Sequence, residues 1–377
     1  MSEKAQGTGL AHALPFWISL AIVPIVWYSA FHGAWTFVLV PLSTWLLFSV
    51  LDRATGLDLR NADPEIPEAA LFWHRLITLI WAPVQVLTIF GTIGFMVRSG
   101  HLATWEMFGV AFGVGVLSGT IGIVYAHELM HQKSRLERWL GDLLMTMALY
   151  GHFRSEHLLV HHRHVGTPRD AVTARYNESF HRFFARVLWQ CFRSSWKAER
   201  ALLARKGLPV WDRSNPFWRY VSLDLGWLLL ALILGGWIGL LLFVFQAFVA
   251  IWQLELVNYF EHYGLTRKHL GGGKYEPQKP HHSWNAAYYA SNRLLINLQR
   301  HSDHHYHPNR RFPILQTYSG EEAPQLPHGY PVMTTAALVP PLWRRWMNPK
   351  VRQWRAQFYP EITDWQPYSR GTNPVPR

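Results

Sequence analysis

The sequence predicts an all-α integral membrane protein, with six transmembrane helices in hairpin pairs and a large histidine-rich cap on the cytoplasmic side. Three observations carry this expectation. Long apolar runs recur along the 377 residues, many of the 20 tryptophans flank them, and 21 histidines crowd into the ends of those runs and the segments that follow. Tryptophan collects at membrane interfaces, where an apolar ring carrying one polar N–H is at home. Hydrophobic residues make up 49% of the chain, so a substantial polar part remains outside the lipid.

A membrane span needs about 20 predominantly apolar residues. Residues 14–31, 34–51, 76–97 and 104–126 come close to this length or reach it. Only "HG", His32 and Gly33, separates the first two, which predicts a tight hairpin. Residues 221–257 form a 37-residue run broken by Gly235 and Gly236. At about 1.5 Å per residue one helix of that length would overshoot a bilayer, so the run divides into spans 221–234 and 237–257. The segment Trp139–Tyr150 is too short to cross and is expected to lie under, or partly within, the cytoplasmic leaflet. "MTTAALVPPLWRRWM" in the tail is likewise interrupted too early to span.

Charge sets the orientation. Between Lys133 and Arg219 there are 16 lysines and arginines against 7 acidic residues, whereas the short loops on the other side hold Arg98 alone. The positive-inside rule therefore places residues 127–220 and 258–377 in a cytoplasmic cap, with both termini on that side. The whole chain, 1–377, is expected to be one membrane-embedded domain. "MSEKAQGTG" at the start lacks the features of a cleaved signal peptide. The net charge of +12 follows from this topology, and no nucleic-acid motif accompanies it. A single cysteine, Cys191, excludes an internal disulfide, a cysteine zinc site and an iron–sulfur site.

Four histidine groups fall at one depth. "HELMH" ends the fourth span and puts His127 and His131 four apart on one helical face, a spacing suited to two ligands of one metal. "EHLLVHH" carries His157, His161 and His162; on a regular helix the first two share a face and the third is turned away. "NYFEHYGL" places His262 at the end of the sixth span. "LQRHSDHHYHP" offers His301, His304 and His305 as one three-toothed face, with His307 pointing elsewhere and preceding Pro308. An isolated pair at a helix end is commonly just two satisfied histidines. Nine at one level are too many for a single ion, which takes four to six ligands, and suit two ions with open positions. Such sites point to redox chemistry on a small ligand such as O₂, with iron the expected metal. His152, His164, His181, His269, His281, His282 and His328 are expected to be surface or supporting groups.

Carboxylates close to the groups are Glu128, Glu156, Asp170, Glu261 and Asp303. Metal-bound imidazoles usually donate their second N–H to such a group. Asp170 and Glu261 are the candidates for this support or for proton delivery.

"HELMHQK", "EHLLVHHRHVGTPRDA", "NYFEHYGL" and "LQRHSDHHYHP" resemble the histidine boxes and HYG motif of the AlkB-type membrane alkane monooxygenases, which are non-haem di-iron hydroxylases. "QKPHHSWN", "HGYP" and "NPKV" add to the likeness, which runs from the first span to about Trp354. The resemblance implies terminal hydroxylation of a medium- or long-chain n-alkane drawn from membrane lipid, with O₂, two electrons and two protons yielding a 1-alkanol and water. It implies two irons held by His127, His131, His157, His161, His162, His262, His301, His304 and His305. It also implies a multi-pass protein of the bacterial inner membrane. Electrons would come from NADH through rubredoxin reductase and rubredoxin, a partner either separate or formerly fused at the C-terminal side.

Three rivals stand beside this expectation. A fatty-acyl desaturase or hydroxylase would share the histidine spacing. An intramembrane zinc protease would use "HELMH" with Glu128 as its base but leave seven histidines idle. A metal transporter would need more ionisable groups inside the spans than Glu106, Asp224 and Glu255.

Overall fold

The computed structural model describes residues 8–365, and within them the apolar runs are helices. The expectations for the first seven residues and for the segment after Trp365 lie outside the described residues. Helices α1 (Leu10–His32), α2 (Ala34–Thr55), α3 (Glu68–Ser99) and α4 (Thr104–Met130) are long and apolar enough to cross a membrane. Each outlasts the apolar run that predicted it, because the helix continues past the last apolar residue into charged turns. Asp52 and Arg53 fall in the last turns of α2, Glu68 and Arg75 in the first turns of α3, and Glu128 in the last turn of α4.

A cap follows, built from α5 (Arg135–Met147), an irregular helix α6 (153–164) and α7 (Phe180–Arg205). The 45-residue apolar stretch Phe217–Glu261 then loses helical geometry at Gly235 (φ −136°) and Gly236 (φ 58°), the second a conformation that side-chain-bearing residues rarely adopt. A Cβ placed on Gly239 would lie 2.7 Å from the carbonyl oxygen of Ala231. Eight residues along a straight helix span about 12 Å, so the chain has turned back on itself. The stretch is two helices, α8 (217–234) and α9 (237–261). The first runs four residues longer than expected because Phe217–Tyr220 adds a turn before the apolar run.

Among the described residues, one strand pair departs from the all-α expectation. His269–Gly271 and Lys274–Tyr275 form a two-stranded antiparallel hairpin around a glycine-rich turn. Four further helices complete the cap: α10 (Tyr289–Leu294), α11 (His301–Tyr306), α12 (Tyr330–Ala337) and α13 (Pro340–Phe358).

The outer faces of the long helices are apolar. Trp237, Ile233, Leu225, Leu229, Leu46 and Leu87 all stand exposed, the arrangement of a protein whose solvent is lipid. Inside, α9 packs against α3 and α4. Near the middle of α4 the helix widens into a π-turn at Ser118–Gly122. Such a turn disturbs the regular i→i−4 bonding, and the Gln253 side chain of α9 donates to the carbonyls of Val116 (2.9 Å) and Gly115 (3.3 Å). The Gln253 carbonyl accepts from Thr120 (3.0 Å) and from Trp45 of α2 (3.2 Å), so one amide joins three helices. A Cβ on Gly119 would meet this amide at 2.7 Å and the Ala250 carbonyl at 3.0 Å. Gly119→Val is therefore expected to destabilise the bundle by about 1–3 kcal/mol through overpacking, read as a lowered Tm in detergent.

The cap is tied to the helices by buried guanidinium groups. Arg311 donates to both oxygens of Glu137 (2.8 and 2.9 Å) and to Glu68, linking α3, α5 and the segment after α11. Arg300 donates to the carbonyls of Leu315 (2.6 Å), Arg60 (2.9 Å) and Asp58 (3.3 Å). It pins the loop after α2 to the residue that precedes His301.

Candidate metal centre

Nine histidines from four segments converge where the cap meets the bundle. They form two compact groups, each with one ring nitrogen per residue within 4.8 Å of every other: His127, His131, His157, His162 and His304, and separately His161, His262, His301 and His305. In the first, His157 Nε2 lies 2.9 Å from His127 Nε2 and 3.0 Å from those of His131 and His162, while His304 Nε2 is 3.2 Å from His162 Nε2. In the second, His161 and His305 approach to 3.2 Å and His262 and His301 to 3.1 Å, again through Nε2.

These spacings test whether a metal fits. A neutral imidazole carries one N–H and one lone pair, so a nitrogen with three nitrogen neighbours cannot be satisfied by hydrogen bonds. Spacings near 3 Å are those of adjacent ligand atoms around one ion with bonds of about 2.1 Å. Burial, reinforced by the neighbouring imidazoles, pulls His157, His162, His301, His304 and His305 well below the ordinary histidine range. They are neutral, with lone pairs available to a cation. The donor set fits a transition metal in each group.

The division differs from the helical-face expectation, and backbone geometry explains why. Residues His157–His161 form a π-turn, which carries residues five apart onto one side. His157 and His162 therefore join one group, and His161 reaches the other. On α11, His301 and His305 are four apart and share the second group, while His304 is rotated toward the first. The expected three-toothed face is thus split between the two groups. His307 stands outside both, 3.2 Å from Asp303.

The carboxylates play unlike parts. Asp170 Oδ2 accepts from His161 Nδ1 (3.0 Å) and Thr173 (2.6 Å), and its Oδ1 accepts from the Val172 N–H (3.0 Å). Burial pushes this carboxyl upward, but the field and hydrogen bond of His161 and the bond from Thr173 outweigh it and hold Asp170 below its ordinary value. Ionised Asp170 fixes His161 with its proton on Nδ1 and its lone pair facing the group. Glu261 sits differently: Oε2 is 3.3 Å from His301 Nε2, on the side of the ring that faces the group, and Oε1 accepts from Tyr330 (2.7 Å). Asp303, on α11 itself, is buried, and Arg310 (2.6 and 2.7 Å), Tyr318 (2.9 Å) and the Gln316 N–H (2.9 Å) hold it. Glu156 is buried with neither oxygen hydrogen-bonded. Glu128 accepts from Gln132 (2.9 Å), lies 3.9 Å from Arg311 and contributes to neither histidine group.

Residues 103–337 match the fatty acid desaturase family model. Alkane 1-monooxygenase 2 of Pseudomonas aeruginosa is 37% identical over 363 residues, covering 94% of this chain and 92% of its own length. Alkane 1-monooxygenase 1 of the same organism is 37% identical over 359 residues, 92% of each chain. The chain belongs to the alkane 1-monooxygenase family. A third member, alkane 1-monooxygenase 2 of Alcanivorax borkumensis, is 34% identical over 90% of each chain. For this alkane 1-monooxygenase family member, the region matched by the desaturase model contains both histidine groups, Asp170, Glu261 and Tyr330.

Two features escaped the sequence reading. Tyr330, within the "HGYP" stretch, is the donor to Glu261 and had no signal beyond the family likeness. Glu276, His281 and His282 make a third compact group. There His282 Nδ1 accepts from the Lys279 N–H at 2.9 Å, which leaves the proton on Nε2, 2.7 Å from the Tyr359 hydroxyl. With its lone pair already engaged, His282 is a hydrogen-bonded clasp between the β-hairpin and the end of α13.

Proposed function

We propose that this chain is a membrane monooxygenase that hydroxylates the terminal methyl of medium- or long-chain n-alkanes to 1-alkanols. The observation that carries this reading is the pair of compact, buried histidine groups, five and four, in a chain of the alkane 1-monooxygenase family. In the proposed arrangement 1–377 form one domain with six spans in an inner membrane. Both termini and the cap 127–220 and 258–377 are cytoplasmic, and α8 and α9 serve as the last two spans. His127, His131, His157, His162 and His304 hold one iron, and His161, His262, His301 and His305 the other. When bound, the two irons supply the activation of O₂ and the oxidation of an unactivated C–H bond. Two electrons, from NADH through rubredoxin reductase and rubredoxin, and two protons complete the balance to alcohol and water. The electron donor is read from the family resemblance, and an acidic carrier suits the basic cap.

The substrate has no polar handle, so the protein selects it by shape. A narrow, mainly apolar recess of about 40 Å³ runs between α2, α4, α9 and the segment before α11, lined by Trp45, Val124, Leu295, Leu298 and Tyr330 among others. Tyr330 both lines this recess and donates to Glu261, so the end of the recess adjoins the second histidine group. Each buried CH₂ contributes about 0.8 kcal/mol, enough for a chain of eight or more carbons to bind without hydrogen bonds. The recess is too small for such a chain at rest, so side chains along it must move aside. Asp170 keeps His161 oriented, and the Tyr330–Glu261 hydrogen bond holds an exchangeable proton beside the second group. Trp45→Ala, which removes the bulkiest side chain of the recess, is expected to shift the product spectrum toward longer alkanols. A set of n-alkanes assayed by gas chromatography checks this; an unchanged spectrum would remove Trp45 from the channel.

The deciding assay is iron per chain together with 1-octanol formation from n-octane in the presence of rubredoxin, its reductase and NADH. About one zinc per chain with no iron would refute the reading. Acyl-thioester oxidation without alkane turnover would favour the desaturase. For the protease, Glu128→Gln is the direct test, because a general base is worth about 10²–10⁴-fold in rate. Octanol formation in this variant is expected to stay within about threefold of wild type, because the amide oxygen preserves the bond with Gln132 and Arg311 keeps its pairs with Glu137 and Glu68.

A further inference from the structure

A second cleft, remote from the recess, is built from charge. It has a volume of about 420 Å³ and opens beside the start of α8, between α6 and α7. At its floor Arg154 (3.2 Å) and Arg219 (2.7 Å) both pair with Asp142, whose side chain is almost wholly buried. One carboxylate therefore serves two guanidinium groups. The Nε atoms of both arginines are buried without an acceptor. Glu199, a second acid at this site, is taken up by the Ser155 hydroxyl at 2.6 Å. Arg213 lines the same cleft, where its charge acts on the neighbouring Asp212 carboxylate and takes no part in the Asp142 pairs. Counting Asp212, which holds Ser214 beside Arg213, and Lys206, which lies near Asp212 and Glu199, four basic groups face three carboxylates, and the cleft carries a surplus positive charge.

Its surroundings identify what would neutralise it. Leu158, Leu159 and Leu202 give one apolar wall. Trp218 lines the mouth and Trp211 lies beside it; both are exposed, with ring centroids 6.4 Å apart. Exposed indoles at the start of an apolar helix mark the headgroup depth of a bilayer. Guanidinium groups recognise phosphate oxygens by forked, charge-assisted hydrogen bonds. A soluble phosphate would need the charge but have no use for the leucine wall or the tryptophan rim.

We propose that this cleft binds the phosphate headgroup of an anionic phospholipid from the leaflet on the cap side, with the acyl chains running down the α8 surface. The site is distinct from the histidine groups, yet Arg154 and Ser155 lie on the same short helix as His157, so the lipid braces the segment that presents that histidine. The inference rests on the membrane placement proposed above.

The test uses the full chain, purified in detergent and examined by native mass spectrometry with phosphatidylglycerol or phosphatidylcholine. Phosphatidylglycerol is expected to be retained about fivefold more tightly, the effect of one basic group near an anionic lipid. Arg213→Gln, which leaves the buried pairs of Arg154 and Arg219 with Asp142 in place, should abolish that preference. Lys274→Gln, in the β-hairpin, should leave it intact. Bromine-labelled phosphatidylglycerol should quench tryptophan fluorescence in wild type, and less in Trp218→Phe. Equal retention of the two lipids, an undiminished preference in Arg213→Gln, or displacement of the lipid by millimolar inorganic phosphate would each overturn the proposal. Octane hydroxylation by the same wild-type preparation keeps such a failure separate from failure of the enzymatic reading.

Discussion

His304→Ala is expected to lower octanol formation at least about a hundredfold and to reduce bound iron to half of the wild-type content or less. The first histidine group has five members, and His304 is its only one from the last box. Its removal does more than delete one nitrogen, because the ring lies 4.3 Å from that of His127 and 4.7 Å from that of His131, centroid to centroid. A buried gap opens among the remaining rings. Changes to groups that merely support a metal ligand typically cost 10–100-fold, and loss of a ligand should exceed that. Iron analysis, circular dichroism and turnover on one preparation check the prediction. Full activity in a folded variant would refute the ligand assignment.

Asp170→Asn should lower activity about 10–100-fold while the chain remains folded. The carboxylate accepts three hydrogen bonds, from His161, Thr173 and the Val172 N–H. An amide offers one oxygen and one NH₂ group in the same space, so it cannot accept at both ends. With the NH₂ turned to His161, Nδ1 must become the acceptor and the ring proton moves to Nε2, the atom that faces the second group. His161 is then present but in the wrong tautomer. The discriminating readout is iron retention during chelator challenge: one of the two ions should leave faster than in wild type. Unchanged retention with reduced turnover would instead assign Asp170 to proton delivery.

Much of this architecture could be read from the chain because its causes are local. The apolar runs, the Gly235–Gly236 break and the nine histidines at the helix ends all follow from hydropathy and spacing. Helix lengths were underestimated because a hydropathy pattern stops at the first charge, whereas backbone hydrogen bonding continues through Asp52 or Glu128. The five-and-four division was hidden for a different reason. A regular helix puts His157 with His161, and only the π-turn, with no signature in the residues themselves, pairs His157 with His162. Tyr330 and the clasp of Glu276, His282 and Tyr359 depend on contacts 69 to 83 residues apart along the chain. Periodicity carries no information about contacts of that kind.

Two short segments, residues 157–162 and 301–305, each contribute to both histidine groups. Ordering either segment around one ion also lowers the entropic cost of arranging the other site. Iron loading should therefore be cooperative. At limiting iron the population should consist of empty and fully charged molecules, with few chains holding a single ion.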